Sequence, residues 1–343
     1  MSFIMVPDER VYAQVTHPWD GEIPNSGSPP AATVGNTDAI KHVSCNIAPV
    51  NTLIRSRAKT GSRSQLVGFA GRRGATFSLE VPLIGSGTKG TAPDIDPLIE
   101  AIFGAAGDDT PATSVAYAFA DAVAGLAIFS FRDPADDNMY DRILAGGVVN
   151  NFTIAPNQDN TAALTVEGVG VYLVNHPKFA SLDTAGKCGI ASFPDEPGTP
   201  TYTGSEIPGF VGSATINDVG TFKISDWKIT GALNRAMRAG YGSWYPNVTS
   251  QGAREITLDL DLFEENSAAM ATLRHLVYSK GTFDATMVIG EDAGNIWTFS
   301  LKNLQAPEED SDESQNEYVL RLPGCVMTAT SAAAKDEFAL TIT

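Results

Sequence analysis

Apolar and polar residues alternate one for one along several short stretches of the chain, the pattern of strands with one buried face. The clearest are Phe77-Ser-Leu79-Glu-Val81-Pro-Leu83 and Ile256-Thr-Leu258-Asp-Leu260-Asp-Leu262, and Val115, Tyr117 and Phe119 keep the same period. Further strands are predicted over Leu126–Phe131, Phe152–Val174, Phe283–Ile289, Trp297–Leu304 and Tyr318–Met327. Two segments change to a helical period. In the first, Leu98, Ile99 and Ile102 form an apolar stripe, Asp96 is placed as N-cap, Pro97 suits the first turn and Gly104 suits a left-handed stop. In the second, Ser267 precedes Met270, Leu273 and Val277 on one face, and Gly281 ends the run. With 32 Gly and 20 Pro breaking the chain into short pieces, the predicted fold is mainly β, with one short flanking helix in each half.

The elements recur. A strand followed by a helix at 76–103 returns about 180 residues later at 256–278, and strands follow each helix. The hairpins correspond as well: Ala155-Pro156, a polar turn and Leu164-Thr-Val166-Glu-Gly168 parallel Ala306-Pro307, an acidic turn and Leu320-Arg-Leu322-Pro-Gly324. Between the halves, Pro194, Pro197, Pro200 and Pro208 sit among Gly, Ser and Thr with little periodicity, which reads as a linker. The predicted organisation is an N-terminal arm at 1–32, a first module at 33–180, a linker at 181–212 and a second module at 213–343. Each module is expected to be a β-sandwich or half-barrel.

Charge separates these pieces further. The chain carries 23 Lys and Arg against 40 Asp and Glu, a net charge of −17, which argues against a surface that grips phosphates. Yet each strand and helix unit is preceded by a basic segment without acids. The first holds Arg55, Arg57, Lys59, Arg63, Arg72 and Arg73; the second holds Arg235, Arg238 and Arg254 with Tyr241, Trp244 and Tyr245. Such runs either keep an exposed ribbon soluble or lay Arg and aromatic residues on an acidic neighbour, and their recurrence in both halves favours the second use.

Candidate chemistry is sparse. Cys45, Cys188 and Cys325 are far apart, with no pairing that would encode a disulfide framework or a zinc site. His17, His42, His176 and His275 have no ligand or general-base spacing. Gly85-Ser-Gly87-Thr-Lys89-Gly90 departs from a P-loop because Lys89 precedes the glycine, and no GxSxG elbow occurs. Six acids between Glu308 and Glu317 begin like a calcium loop but lack its Gly and its closing Glu, and they read as a solvated hairpin tip or as a partner for a basic arm. Neither catalysis nor a cofactor or metal is expected. The charged start and the broken apolar run at Ser114–Phe131 predict no signal peptide and no membrane span, hence folding in a cytoplasm.

The strand Thr76–Leu83, the connection Gly87-Thr-Lys-Gly-Thr-Ala-Pro93-Asp-Ile-Asp-Pro-Leu98-Ile-Glu-Ala101, the helix and the hairpins ending near Val174 together resemble the tail tube proteins of long-tailed bacteriophages. The likeness is strongest in the first half; the second shares element order and arm placement. It implies a virion structural protein, assembled in the host cytoplasm, whose strands join those of its copies into rings of six units. The stacked rings form a conduit for the genome. A chain with two modules resembles duplicated members that build such a ring from three chains rather than six. The resemblance implies no catalysis, with tape-measure and terminator proteins as tail partners and the genome passing without specific binding. It maps inter-ring arms onto Leu53–Phe69 and Asn234–Val248. A like-charged wall repels DNA, so Glu80, Asp259 and Asp261, opposite the buried positions of their strands, are the candidate lumen residues. The alternative reading is a tail-tip or surface carbohydrate-binding module with Trp227, Trp244 and Trp297 as stacking platforms.

Overall fold

The computed structural model describes residues 9–16, 34–55, 68–132, 141–156, 161–175, 194–217, 219–241, 246, 248–314, 317–331 and 333–343. The first half opens with β1 (Arg10–Thr16), β2 (Ala39–Ile40), β3 (Ser44–Ile54), β4 (Phe69–Pro82) and α1 (Asp96–Phe103). It continues with β5 (Asp108–Thr110), β6 (Ser114–Ala118), β7 (Gly125–Phe131), β8 (Arg142–Ala155) and β9 (Ala163–Asn175). The second half opens with β10 (Gly212–Ile216), β11 (Gly220–Thr221), β12 (Ile224–Ala232), β13 (Arg235–Arg238), β14 (Val248–Gln251) and β15 (Glu255–Phe263). It ends with α2 (Ala268–Tyr278), β16 (Phe283–Ile289), β17 (Trp297–Leu304), β18 (Asp310–Ser314), β19 (Glu317–Val326) and β20 (Phe338–Ile342). The fold is mainly β, with two α-helices among the described residues.

All named strand pairs are antiparallel, and the pairing pattern of the first half returns in the second. First come β2·β1, β1·β7, β7·β8, β8·β9, β9·β4 and β4·β3. Then come β11·β10, β10·β16, β16·β17, β17·β20, β18·β19, β19·β15 and β15·β12. The long strands β8 and β9 correspond to broken ones: β17 with β18, and β19 with β20. A helix follows β4 and β15 alike.

The halves are not separate globules. β12 pairs with β8, β20 pairs with β6, and one continuous apolar cluster runs from Val11 to Ile342. Phe338, on the last strand, stacks on Phe103 and Phe152 of the first half and on Phe299 of the second, with ring centroids 5.5, 5.9 and 6.2 Å away. Phe and Trp side chains bury large areas, so a shared aromatic cluster resists separation of the halves.

Several sequence expectations are corrected. Residues 10–16 belong to no arm: β1 is inserted between β7 and β2, with Val11, Tyr12 and Ala13 buried. Its buried residues are consecutive rather than alternating, so no period of two marks it in the sequence. Part of the expected linker is likewise built in, because buried Ile207 exchanges backbone hydrogen bonds with Leu83 and Ala162. The acidic segment is an edge strand, β18, rather than only a hairpin tip. Ser267 caps α2 as expected, accepting from the Met270 N–H at 3.2 Å, and Gly104 closes α1 with φ +80°. Asp96, however, caps nothing: α1 begins after Ile95, and the Tyr117 hydroxyl donates to the Asp96 carboxylate at 2.6 Å.

That contact creates an acidic cluster on α1. Burial, followed by the Asp96 charge and a shared hydrogen bond, raises the Glu100 carboxyl to about 7, and burial raises Asp96 as well. A carboxyl whose folded pKa is raised stabilises the fold when protonated, and that contribution is lost as pH climbs through the folded value. Melting temperature is therefore expected to fall between about pH 4.5 and 7, and Glu100→Gln is expected to flatten that slope and raise stability at pH 8. A thermal-melt series in which the wild type and the variant run parallel would refute this.

Candidate assembly surface

The strands compose a continuous eight-strand run, β3-β4-β9-β8-β12-β15-β19-β18, four strands from each half. β8 makes it possible. Along one edge β8 pairs with β9 over its length; along the other it pairs first with β7, at Arg142–Gly147, and then with β12, at Asn151–Ile154. The first half thus offers a sheet edge that the second half takes up. Ile229 lies opposite Ile154, Thr230 opposite Thr153, Gly231 opposite Phe152 and Ala232 opposite Asn151.

Alternation gives this run two unlike faces. Phe77, Leu79, Val81, Leu164, Val166, Ile229, Leu258, Leu260 and Leu322 are buried in the shared core. The opposite face carries Glu80, Glu167, Asp226, Asp259 and Asp261, relieved by Lys228 and Arg321. Lys228 stands across from Asp259, and Arg321 lies 3.4 Å from Asp261. The candidate lumen residues Glu80, Asp259 and Asp261 therefore lie on one polar, predominantly acidic surface. Asp259 also accepts the Gly324 N–H at 2.7 Å, which fixes its carboxylate against β19.

The basic residues are divided by the structure. Arg57, Lys59, Arg63, Trp244 and Tyr245 lie outside the described residues. Arg55 and Arg72 are exposed and Arg73 half-exposed at the open side of β3 and β4, beside Val50, Ile54 and Leu53, the last 67% exposed. Arg238 is exposed on β13. Arg235 is not available to a partner: it is 4% exposed, and its guanidinium donates to the carbonyls of Ala101 (2.6 Å), Ile102 (3.0 Å) and Val149 (3.4 Å). It closes the C-terminus of α1, where the last carbonyls have no partner within the helix and the dipole attracts a cation. Burial, aided by Arg254, lowers its pKa to about 10. The base of the second ribbon is also occupied by its own chain, since Met237 packs on the cluster of Tyr12, Phe129, Ile143 and Val171. Sequence reasoning missed these roles because an Arg in a basic run has no local mark of burial.

Cys45 and Cys325 are pushed up to about 12 by burial, away from thiolate reactivity. Among the described residues no three His, Cys, Asp or Glu side chains converge to hold a metal ion, and no helix is long and apolar enough to cross a membrane. Trp227 and Trp297 are 9% and 1% exposed and pack near Phe299, so neither is a platform for a sugar. No family model matches this chain, and no curated protein matches its sequence.

Proposed function

We propose that this chain is a structural virion protein that assembles with copies of itself into stacked rings, forming the tail tube of a long-tailed bacteriophage. The observation that carries the reading is the eight-strand run: it has an apolar face against the core, an acidic face opposite, and, among the described residues, no strand paired beyond its end strands β3 and β18. Open sheet edges are aggregation hazards unless they are covered, and ring closure covers them with identical partners. Because two similar four-strand sets already sit edge to edge within one chain, three chains supply six sets. On this reading the acidic face lines the bore, where it repels polyphosphate and lets the genome slide without binding. Arg55, with Arg57, Lys59 and Arg63, belongs to the arm that reaches the adjacent ring, and tape-measure and terminator proteins meet the tube inside and at its end.

Electron microscopy of the purified protein over a rising concentration series tests the reading. Rings with threefold or pseudo-sixfold symmetry, or tubes stacked from them, are expected. A chain that remains monomeric on sizing columns and featureless in micrographs throughout the series overturns the proposal.

A further inference from the structure

We infer that β18 of one chain pairs antiparallel with β3 of a second copy, in the register that β8 and β12 use inside each chain. The inference rests on the assembly reading above and specifies its seam. The two halves can be aligned by following the ladders. Leu79 and Leu260 occupy equivalent buried positions before α1 and α2, as do Phe77 and Leu258. Phe77 is opposite Ile47 and Leu258 opposite Ile229, so Ile47 corresponds to Ile229. Leu79 is opposite Val166 and Leu260 opposite Leu322, which makes Leu164 the equivalent of Leu320. Leu164 is opposite Ile154 and Leu320 opposite Ser311, so Ile154 corresponds to Ser311.

Within the chain Ile229 pairs with Ile154. The same step between chains places Ile47 opposite Ser311, Ala48 opposite Asp310, Pro49 opposite Glu309 and Val50 opposite Glu308. Pro49, which is exposed, offers only its carbonyl, and the buried Ile47 carbonyl is held within the chain by the Arg142 guanidinium at 3.1 Å, a contact that the Ser311 N–H of the second copy would replace. The Ser311 N–H is given to its neighbour's carboxylate, Asp310 Oδ1, at 2.9 Å, in the place a partner's carbonyl would take. Charge selects this head-to-tail contact. The β18 edge follows Glu308 and Glu309 and begins at Asp310, whereas the β3 side carries Arg55, Arg72 and Arg73 and no acid from Ser44 to Arg55. Pairing β18 with its own copy would set acids against acids, which is unfavourable across a ladder. The exposed Val50, next to the basic ribbon, becomes covered.

Two proteins with one engineered cysteine each test the seam: Ala48→Cys in one and Asp310→Cys in the other, both with Cys45 and Cys188 changed to Ser and only the buried Cys325 kept. Directly paired residues lie roughly 4.5–5.5 Å apart at Cα, within the span a disulfide accepts. Mild oxidation of the mixture is expected to give a covalent heterodimer that neither protein forms alone. Moving the second cysteine to Asp312→Cys displaces it by about 7 Å and is expected to lower the yield about tenfold. Ser311→Pro, which deletes one outward N–H, is expected to reduce ring formation about tenfold while leaving the circular dichroism and melting of the monomer unchanged. Rings that form normally without the Ala48–Asp310 crosslink, or that tolerate Ser311→Pro, overturn this seam and leave the tube reading standing. A wild-type chain that forms no rings removes both.

Discussion

Gly231→Val is expected to lower stability by about 3 kcal/mol or more, because it forces a branched side chain into a packed aromatic core. Gly231 lies opposite Phe152 where β12 joins β8. A Cβ there would stand less than 3.0 Å from three atoms of the Phe152 ring. The ring has no room to retreat, being buried and stacked on Phe338. The glycine is thus the cavity into which the first half's aromatic fits, and widening it pries the two halves apart along their shared ladder. Chemical denaturation with the midpoint as readout checks the size of the effect. Phe152→Leu in the same chain should return part of the loss, since the two changes act on one contact and are non-additive. A midpoint equal to wild type for Gly231→Val would mean that the junction is looser than its geometry.

Arg235→Ala is expected to cost about 3 kcal/mol, the result of leaving buried carbonyls without donors. Three carbonyls, those of Ala101, Ile102 and Val149, accept from this one guanidinium. Two of them end α1, so their loss exposes the helix terminus to an apolar surround that water does not reach. Removing the charge also removes the cost of burying it, which keeps the effect below the simple sum of three broken bonds. Arg235→Lys should recover only part, because an ammonium cannot span the forked geometry that a guanidinium matches. By contrast Arg55→Ala, on the exposed side of β3, should leave the melting temperature of the monomer unchanged. Thermal melts of the three variants separate the two classes, and a wild-type melting temperature for Arg235→Ala would refute the assigned role.

The pair Arg55 and Arg235 shows where sequence reading succeeds and where it stops. Both were legible as members of recurrent basic segments, and both halves do place a ribbon at that point of the order. Only the folded chain distinguishes them: β13 turns back onto β8 and β9 and takes Arg235 into the core, whereas β3 is an end strand and leaves Arg55 outside. Glu80, Asp259 and Asp261 fared differently. Period-two alternation assigns them to the face opposite Leu79, Leu258 and Leu260, and that assignment depends on neighbours one residue away.

What the amino-acid order determined by itself is therefore local: the alternating strands before α1 and α2, the Ser267 cap, the left-handed Gly104, and the recurrence of strand then helix. These follow from backbone geometry and from the transfer of one face out of water, which neighbouring residues suffice to specify. The insertion of β1 into the sheet, the burial of Arg235 and the meeting of Phe152 with Gly231 were decided by tertiary structure. Each unites positions scores of residues apart, and the free energy that selects among possible edges comes from closing a shared core rather than from any short segment.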